Sequence, residues 1–128
     1  MCNCKNTLTE FEKRVICEKG TEPPFNNEYW DNKTPGIYYC KCCGAELFSS
    51  EHKFDSGTGW PSFYISTGEV LEKADFTGGM TRIEAMCGRC RGHLGHIFGD
   101  GPAPTGIRYC INSASLIFKP KYGEKSGN

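Results

Sequence analysis

The chain has 128 residues, and its 15 lysines and arginines balance 15 aspartates and glutamates. That length allows one modest core, and the missing charge excess speaks against a nucleic-acid or anionic-membrane surface. The nine cysteines are an odd number, and no apolar stretch follows Met1-Cys2-Asn3-Cys4-Lys5, so a secreted disulfide scaffold is disfavoured and a reducing cytoplasm is expected.

No run reaches the length of a membrane span. Thr7-Leu8-Thr9-Glu10 has capping-box spacing and predicts a short helix through about Ile16 that stops near Gly20. Thr21-Glu22-Pro23-Pro24-Phe25 is then extended, because consecutive prolines lack donors and disfavour helix before them. From Pro35-Gly36 onward, short apolar or alternating runs lie between glycine and proline clusters: Ile37 to Tyr39, Glu69 to Leu71, Arg82 to Met86 and Arg108 to Phe118. Sixteen glycines and seven prolines leave little room for long helices. The expected architecture is mainly β: packed antiparallel sheets after one or two short helices, in a single domain over 1–128. Within it, 1–20 is a helical and mobile segment and 122–128 a frayed polar tail.

Two C-x-x-C knuckles, Cys40/Cys43 and Cys87/Cys90, have the spacing with which thiolates grip zinc. Gly44 and Gly88 beside them let the backbone close around a metal. Four thiolates on one divalent ion leave a formal charge of about −2, which Lys41, Arg89 and Arg91 are placed in sequence to offset. Such a site has no open position and serves stability, tying two distant segments together. Cys42 is expected to be a bystander. Two unrelated redox motifs are the competing reading.

Removing those four ligands leaves Cys110 as the unpaired cysteine of the C-terminal half. On a strand through Tyr109 to Phe118, alternation gathers Arg108, Cys110 and Asn112 on one face and turns Tyr109 and Ile111 to the other. A guanidinium beside a thiol raises its thiolate fraction, whereas a lone strand cysteine is more commonly inert and buried. The loop Gly99 to Gly106 precedes this strand and has the composition of loops that frame sites. His93 and His96, three apart, point to opposite faces of a straight strand, so a turn is needed for both to converge. A core histidine or a spare metal ligand is the plainer reading of either. His52 is expected at the surface. Gly57 and Gly59 allow Trp60 to be displayed rather than buried.

Taken in order, Gly20 to Phe25, Tyr29-Trp30, Pro35 to Tyr38, Cys40 to Cys43, Gly57 to Phe63, Cys87 to Cys90, Gly92 to His96 and Arg108 to Ser113 resemble the B-type methionine-R-sulfoxide reductases, the MsrB family. The resemblance covers nearly the whole chain. It implies two antiparallel sheets with N-terminal helices (a β-tent shared with Mss4-like proteins) and one structural zinc held by Cys40, Cys43, Cys87 and Cys90 opposite the active site. It implies reduction of the R epimer of methionine sulfoxide, peptide-bound or free, with thioredoxin as donor. Cys110 matches the family nucleophile, and Trp60, His93, His96, Arg108 and Asn112 match the residues lining its pocket. Thr58 stands where many members carry a resolving cysteine. The second thiol is then Cys17, ahead of Cys4 and Cys2, or the sulfenic acid passes directly to an external reductant. The competing class is a non-catalytic zinc module of related fold that binds protein. A cytoplasmic monomer without nucleic-acid or membrane partners completes the expectation.

Overall fold

A computed structural model describes residues 4–121. The tail expected at 122–128, and Cys2, lie outside the described residues. The helix α1 spans Glu10–Glu18, and its cap is Thr9 rather than Thr7. Glu12 N donates to Thr9 Oγ1 while Thr9 N donates to a Glu12 carboxylate oxygen, which completes the box two residues later than expected. Lys19, in the left-handed region at φ 59°, ends the helix, and Gly20 N donates to Arg14 O. Val15 and Ile16 are its buried face.

Among the described residues nine strands follow: β1 (Gly36–Cys40), β2 (Glu46–Ser49), β3 (Lys53–Phe54), β4 (Ser62–Phe63), β5 (Val70–Asp75), β6 (Arg82–Cys87), β7 (His93–Phe98), β8 (Arg108–Ile111) and β9 (Leu116–Pro120). They form a three-stranded sheet in the order β2-β1-β9 and a six-stranded sheet in the order β3-β4-β8-β7-β6-β5. Every pairing is antiparallel. The two-sheet expectation holds, but the run through Phe118 is not one strand. It breaks at Asn112 into a 3₁₀ turn over Ser113–Ser115, and β8 and β9 enter different sheets. The break comes where Glu22 captures the amides of Ser113 and Ala114, contacts invisible to a local pattern.

Aromatic side chains join the sheets. Phe48 of β2 stacks on Phe63 of β4 with centroids 4.4 Å apart, and Tyr38 of β1 meets Phe63 edge-on at 5.2 Å. Tyr109 packs against Phe48, and Ile111 is fully buried, as alternation along β8 requires. In β1 the inward positions are Gly36, Tyr38 and Cys40, so the face that supplies a core tyrosine also delivers a cysteine at the strand's end.

Gly95 sets the spacing between β7 and β8. A Cβ at this position would lie 2.0 Å from Cys110 O and 3.0 Å from Ile111 Cα. Gly95→Ala should therefore push the strands apart and destabilise the fold by about 1–3 kcal/mol, the range for overpacking. Urea titration checks this; an unchanged midpoint would refute it.

Candidate active site

At one edge of the fold the two knuckles converge. Gly44 N donates to Cys40 O and Arg91 N to Cys87 O, each at 2.8 Å, closing equivalent turns. Gly44 adopts φ 83° and Arg91 φ 66°, so the left-handed position is held by glycine in the first knuckle and by arginine, not Gly88, in the second. The four sulfurs of Cys40, Cys43, Cys87 and Cys90 lie within 4.8 Å of one another. Cys40 and Cys90 Sγ are 3.7 Å apart, and Cys43 and Cys87 Sγ 3.6 Å. A tetrahedron with metal–sulfur bonds of about 2.3 Å has edges of about 3.8 Å, so the set fits a four-thiolate metal site. Amides of Arg89 and Gly92 donate to Cys87 and Cys90 Sγ, which offsets thiolate charge. Lys41, expected to do so, instead reaches Glu12 at 3.6 Å. Cys42 is no bystander: it is disulfide-bonded to Cys4. Metal removal should unfold this edge. Cys87→Ser is expected to abolish stoichiometric metal by atomic absorption and to lower the melting transition, and metal-free variant protein melting normally would contradict that.

Along β7 from the second knuckle lie the two histidines. His93 pairs with Met86 and Gly95 with Ala85, so Leu94 is an extra residue, a β-bulge. The bulge shifts the alternation by one and brings both rings to one face, with centroids 5.5 Å apart. This is the convergence that a straight strand forbids. The two differ in access. His93 is 2% exposed, its Nδ1 lies 2.8 Å from Glu84 Oε2, and its Nε2 is buried without a partner. Burial outweighs Glu84 and pushes its pKa below the ordinary imidazole value. His96 instead lines a pocket of about 90 Å³ with Cys110, Trp60, Asn112, Thr21, Arg82 and Phe98.

Cys110 pairs across the ladder with His96 on one side and Ser62 on the other. It is a free, half-buried cysteine. Burial raises its pKa, opposed by the charge of Arg108 and by a hydrogen bond with Thr58. The sequence suggests that Arg108 would increase the thiolate fraction; it does push that way, but desolvation is the larger effect. Arg108 is held by two hydrogen bonds to Asp100, at 2.8 and 3.2 Å, and stacks its guanidinium 4.3 Å from the Phe98 ring centroid. Trp60 donates its indole N–H to Glu22 O at 2.9 Å. Asn112 donates to Leu94 O and accepts from Glu22 N.

The structure thus brings Cys110, His96, Trp60 and Asn112 to one pocket, sets Arg108 beside the thiol and seals His93 behind. His52 packs on Tyr64 away from these residues. Of the other cysteines singled out, Cys4 is bonded to Cys42 and Cys17 is also disulfide-bonded. Sequence reasoning missed Thr21, Arg82 and Phe98 in the lining and Glu22, Asp75, Glu84 and Asp100 behind it. Only Asp100 left a signal, an acid in the connection directly before Arg108. The alkylation rate of Cys110 by iodoacetamide should rise with pH to a midpoint above the ordinary thiol value of about 8.5. Arg108→Met removes an opposing cation, moves that midpoint further up, and slows alkylation at slightly alkaline pH by up to about tenfold, the factor one pKa unit carries.

A two-sheet β fold with a four-cysteine cluster and a half-buried thiol in a small aromatic and imidazole-lined pocket defines a class of small thiol oxidoreductase. Residues 8–120 match the SelR domain, and the chain belongs to that family. Relatives named peptide methionine sulfoxide reductase MsrB include one from Thiobacillus denitrificans, 59% identical over 116 residues, covering 89% of this chain and 88% of the relative. One from Acinetobacter baylyi is 56% identical over 114 residues (88% and 82%). Another, from Acinetobacter baumannii strain SDF, is 52% identical over 122 residues (94% and 88%).

Proposed function

We propose that this chain reduces methionine sulfoxide in peptides and proteins, choosing the R epimer, with Cys110 as nucleophile. The observation that carries the reading is the pocket itself: a thiol, an imidazole, an amide and an indole converge in a chain of the SelR family. Cys110 sulfur attacks the sulfoxide sulfur; the substrate S–O bond breaks and an S–O bond forms on Cys110. Methionine leaves with two more electrons, and Cys110 becomes a sulfenic acid. The departing oxygen needs a proton or a strong donor, which His96, His93 or Asn112 can provide. Sulfur gains positive character as its oxygen is protonated, and the face of Trp60 stabilises that charge while enclosing the methyl group. Arg108 tempers the desolvation of the thiol.

A second thiol condenses with the sulfenic acid, releasing water and leaving a disulfide that a dithiol such as thioredoxin reduces by exchange. Thr58 beside Cys110 cannot do this. Cys17, Cys4 and Cys2 are the internal candidates; Cys4 must first be released from Cys42, and Cys17 from its own disulfide, to act. Zinc is the metal we assign to Cys40, Cys43, Cys87 and Cys90; bound there it supplies a cross-link and no open coordination position. The working unit we propose is a monomer. We assign the cytoplasm on the odd number of cysteines in the sequence, and no helix among the described residues is long and apolar enough to cross a membrane. We assign no nucleic-acid or membrane partner.

The test is racemic N-acetyl-methionine sulfoxide incubated with dithiothreitol and the protein. Loss of one epimer only is expected, and Cys110→Ser should keep metal and fold yet lose turnover. No turnover by folded, metal-loaded protein would favour the non-catalytic module instead. Peptide mapping after a single turnover should give a Cys17–Cys110 link, and a Cys4 link would reassign the resolving role.

A further inference from the structure

Asp75, at the end of β5, has no part in the chemistry above, although it is only 3% exposed. Its Oδ2 lies 2.7 Å from His96 Nε2. Its Oδ1 accepts the amide and hydroxyl of Thr77, at 3.0 and 2.7 Å. Lys19, at the end of α1, approaches Asp75 Oδ1 at 3.9 Å and Glu84 Oε1 at 3.4 Å. Thus each histidine has its own carboxylate, and one lysine lies between the two acids. Only one of the two imidazoles opens into the pocket that holds Cys110.

We propose that Asp75 is a positioning residue that makes His96, rather than His93, the proton donor of the reduction. It does so by taking the Nε2 hydrogen and leaving Nδ1 to face the sulfoxide oxygen. The inference rests on the reductase reading and deepens it. A carboxylate hydrogen-bonded to one ring nitrogen fixes the tautomer of a neutral imidazole and favours its protonated form. In that form Nε2–H stays on Asp75 and Nδ1–H is available. As the substrate S–O bond breaks, Nδ1 gives its proton to the oxygen and the ring is left neutral. The proton lost by the Cys110 thiol returns to Nδ1, so the step is net oxygen transfer from sulfoxide to thiol with no proton consumed.

The charged and titratable groups facing His96 are Asp75 from β5, Arg82 and Glu84 from β6, His93 from its own strand, Cys110 and Arg108 from β8, and Lys19 from α1. Arg82 and Lys19 oppose protonation of the ring but also neutralise Asp75 and Glu84. The nearest group to the ring is the Asp75 carboxylate, at hydrogen-bond distance. His93 cannot exchange places with His96. Its ring is sealed, its Nε2 has no partner, and it does not line the pocket that holds Cys110.

The experiment compares wild type, Asp75→Asn and Thr77→Ala as full chains. It records the pH profile of turnover and the ring ¹⁵N shifts of His96. In wild type, His96 should carry its hydrogen on Nε2 at high pH. Asp75→Asn should move the alkaline limb of the kcat profile down by about one pH unit and lower kcat at neutral pH by about tenfold, with KM changed less than about twofold. Thr77→Ala loses the turn contact of Asp75 but not the histidine contact and should leave the profile in place. A neutral His96 carrying its hydrogen on Nδ1, or an unmoved profile in Asp75→Asn, overturns the proposal. The ring shifts of wild type decide the matter even if Asp75→Asn does not fold. They also stand apart from the reductase reading, whose own failure would show as wild type without turnover.

Discussion

Four groups of the site are fastened to one buried residue, Glu22. Its carboxylate receives the amides of Ser113 and Ala114, its amide donates to Asn112, and its carbonyl takes the indole N–H of Trp60. Desolvation pushes its pKa up, while the amides of Ser113 and Ala114 pull the other way. Burying a carboxylate is tolerated because it is met by donors arranged at the start of a 3₁₀ turn. Thr21, just before Glu22, thereby lines the pocket, and the segment expected to run extended through Phe25 instead turns at Pro24-Phe25, with Phe25 in the left-handed region at φ 60°. The same contacts end β8 at Ile111 and send the chain across to the smaller sheet.

The second constraint is one inserted residue. Were Leu94 paired in regular register instead of bulged out, alternation along β7 would place one imidazole with Cys110 and its partner on the other side of the sheet. With the bulge, both rings share a face but in different surroundings: one sealed against Glu84, the other at the pocket. Two residues of the same type thus acquire different access to the pocket from position alone. Where their acids come from matters as much, since Asp75 and Glu84 lie on neighbouring strands and share a lysine supplied by the helix.

Much of this was legible from local pattern. Knuckle spacing located the four-cysteine cluster, and period-two alternation correctly put Tyr109 and Ile111 inward and Cys110 outward. What stayed hidden was non-local. The helix cap is the exception, a local ambiguity: Thr7 and Thr9 each have a glutamate three residues on, and the box forms at Thr9 with Glu12. The Arg108 to Phe118 run looked continuous because its interruption is imposed by Glu22. The net effect on the Cys110 thiol could not be read from its neighbours in sequence, since burial is a property of packed sheets and here exceeds the pull of an adjacent cation. The attachment of Cys42 to Cys4 likewise joins positions with no common local signature.

Glu22 and Ser113 are 91 residues apart, and the pocket's walls are drawn from both ends of the chain. Glu22 can therefore reach Ser113 and Ala114, and fix that wall of the cleft, only once the chain has been made through β8 and the turn after it. Until then the sulfur at position 110 is an ordinary thiol with no neighbours to direct it. The pocket around Cys110 is thus a property of the closed fold rather than of any fragment.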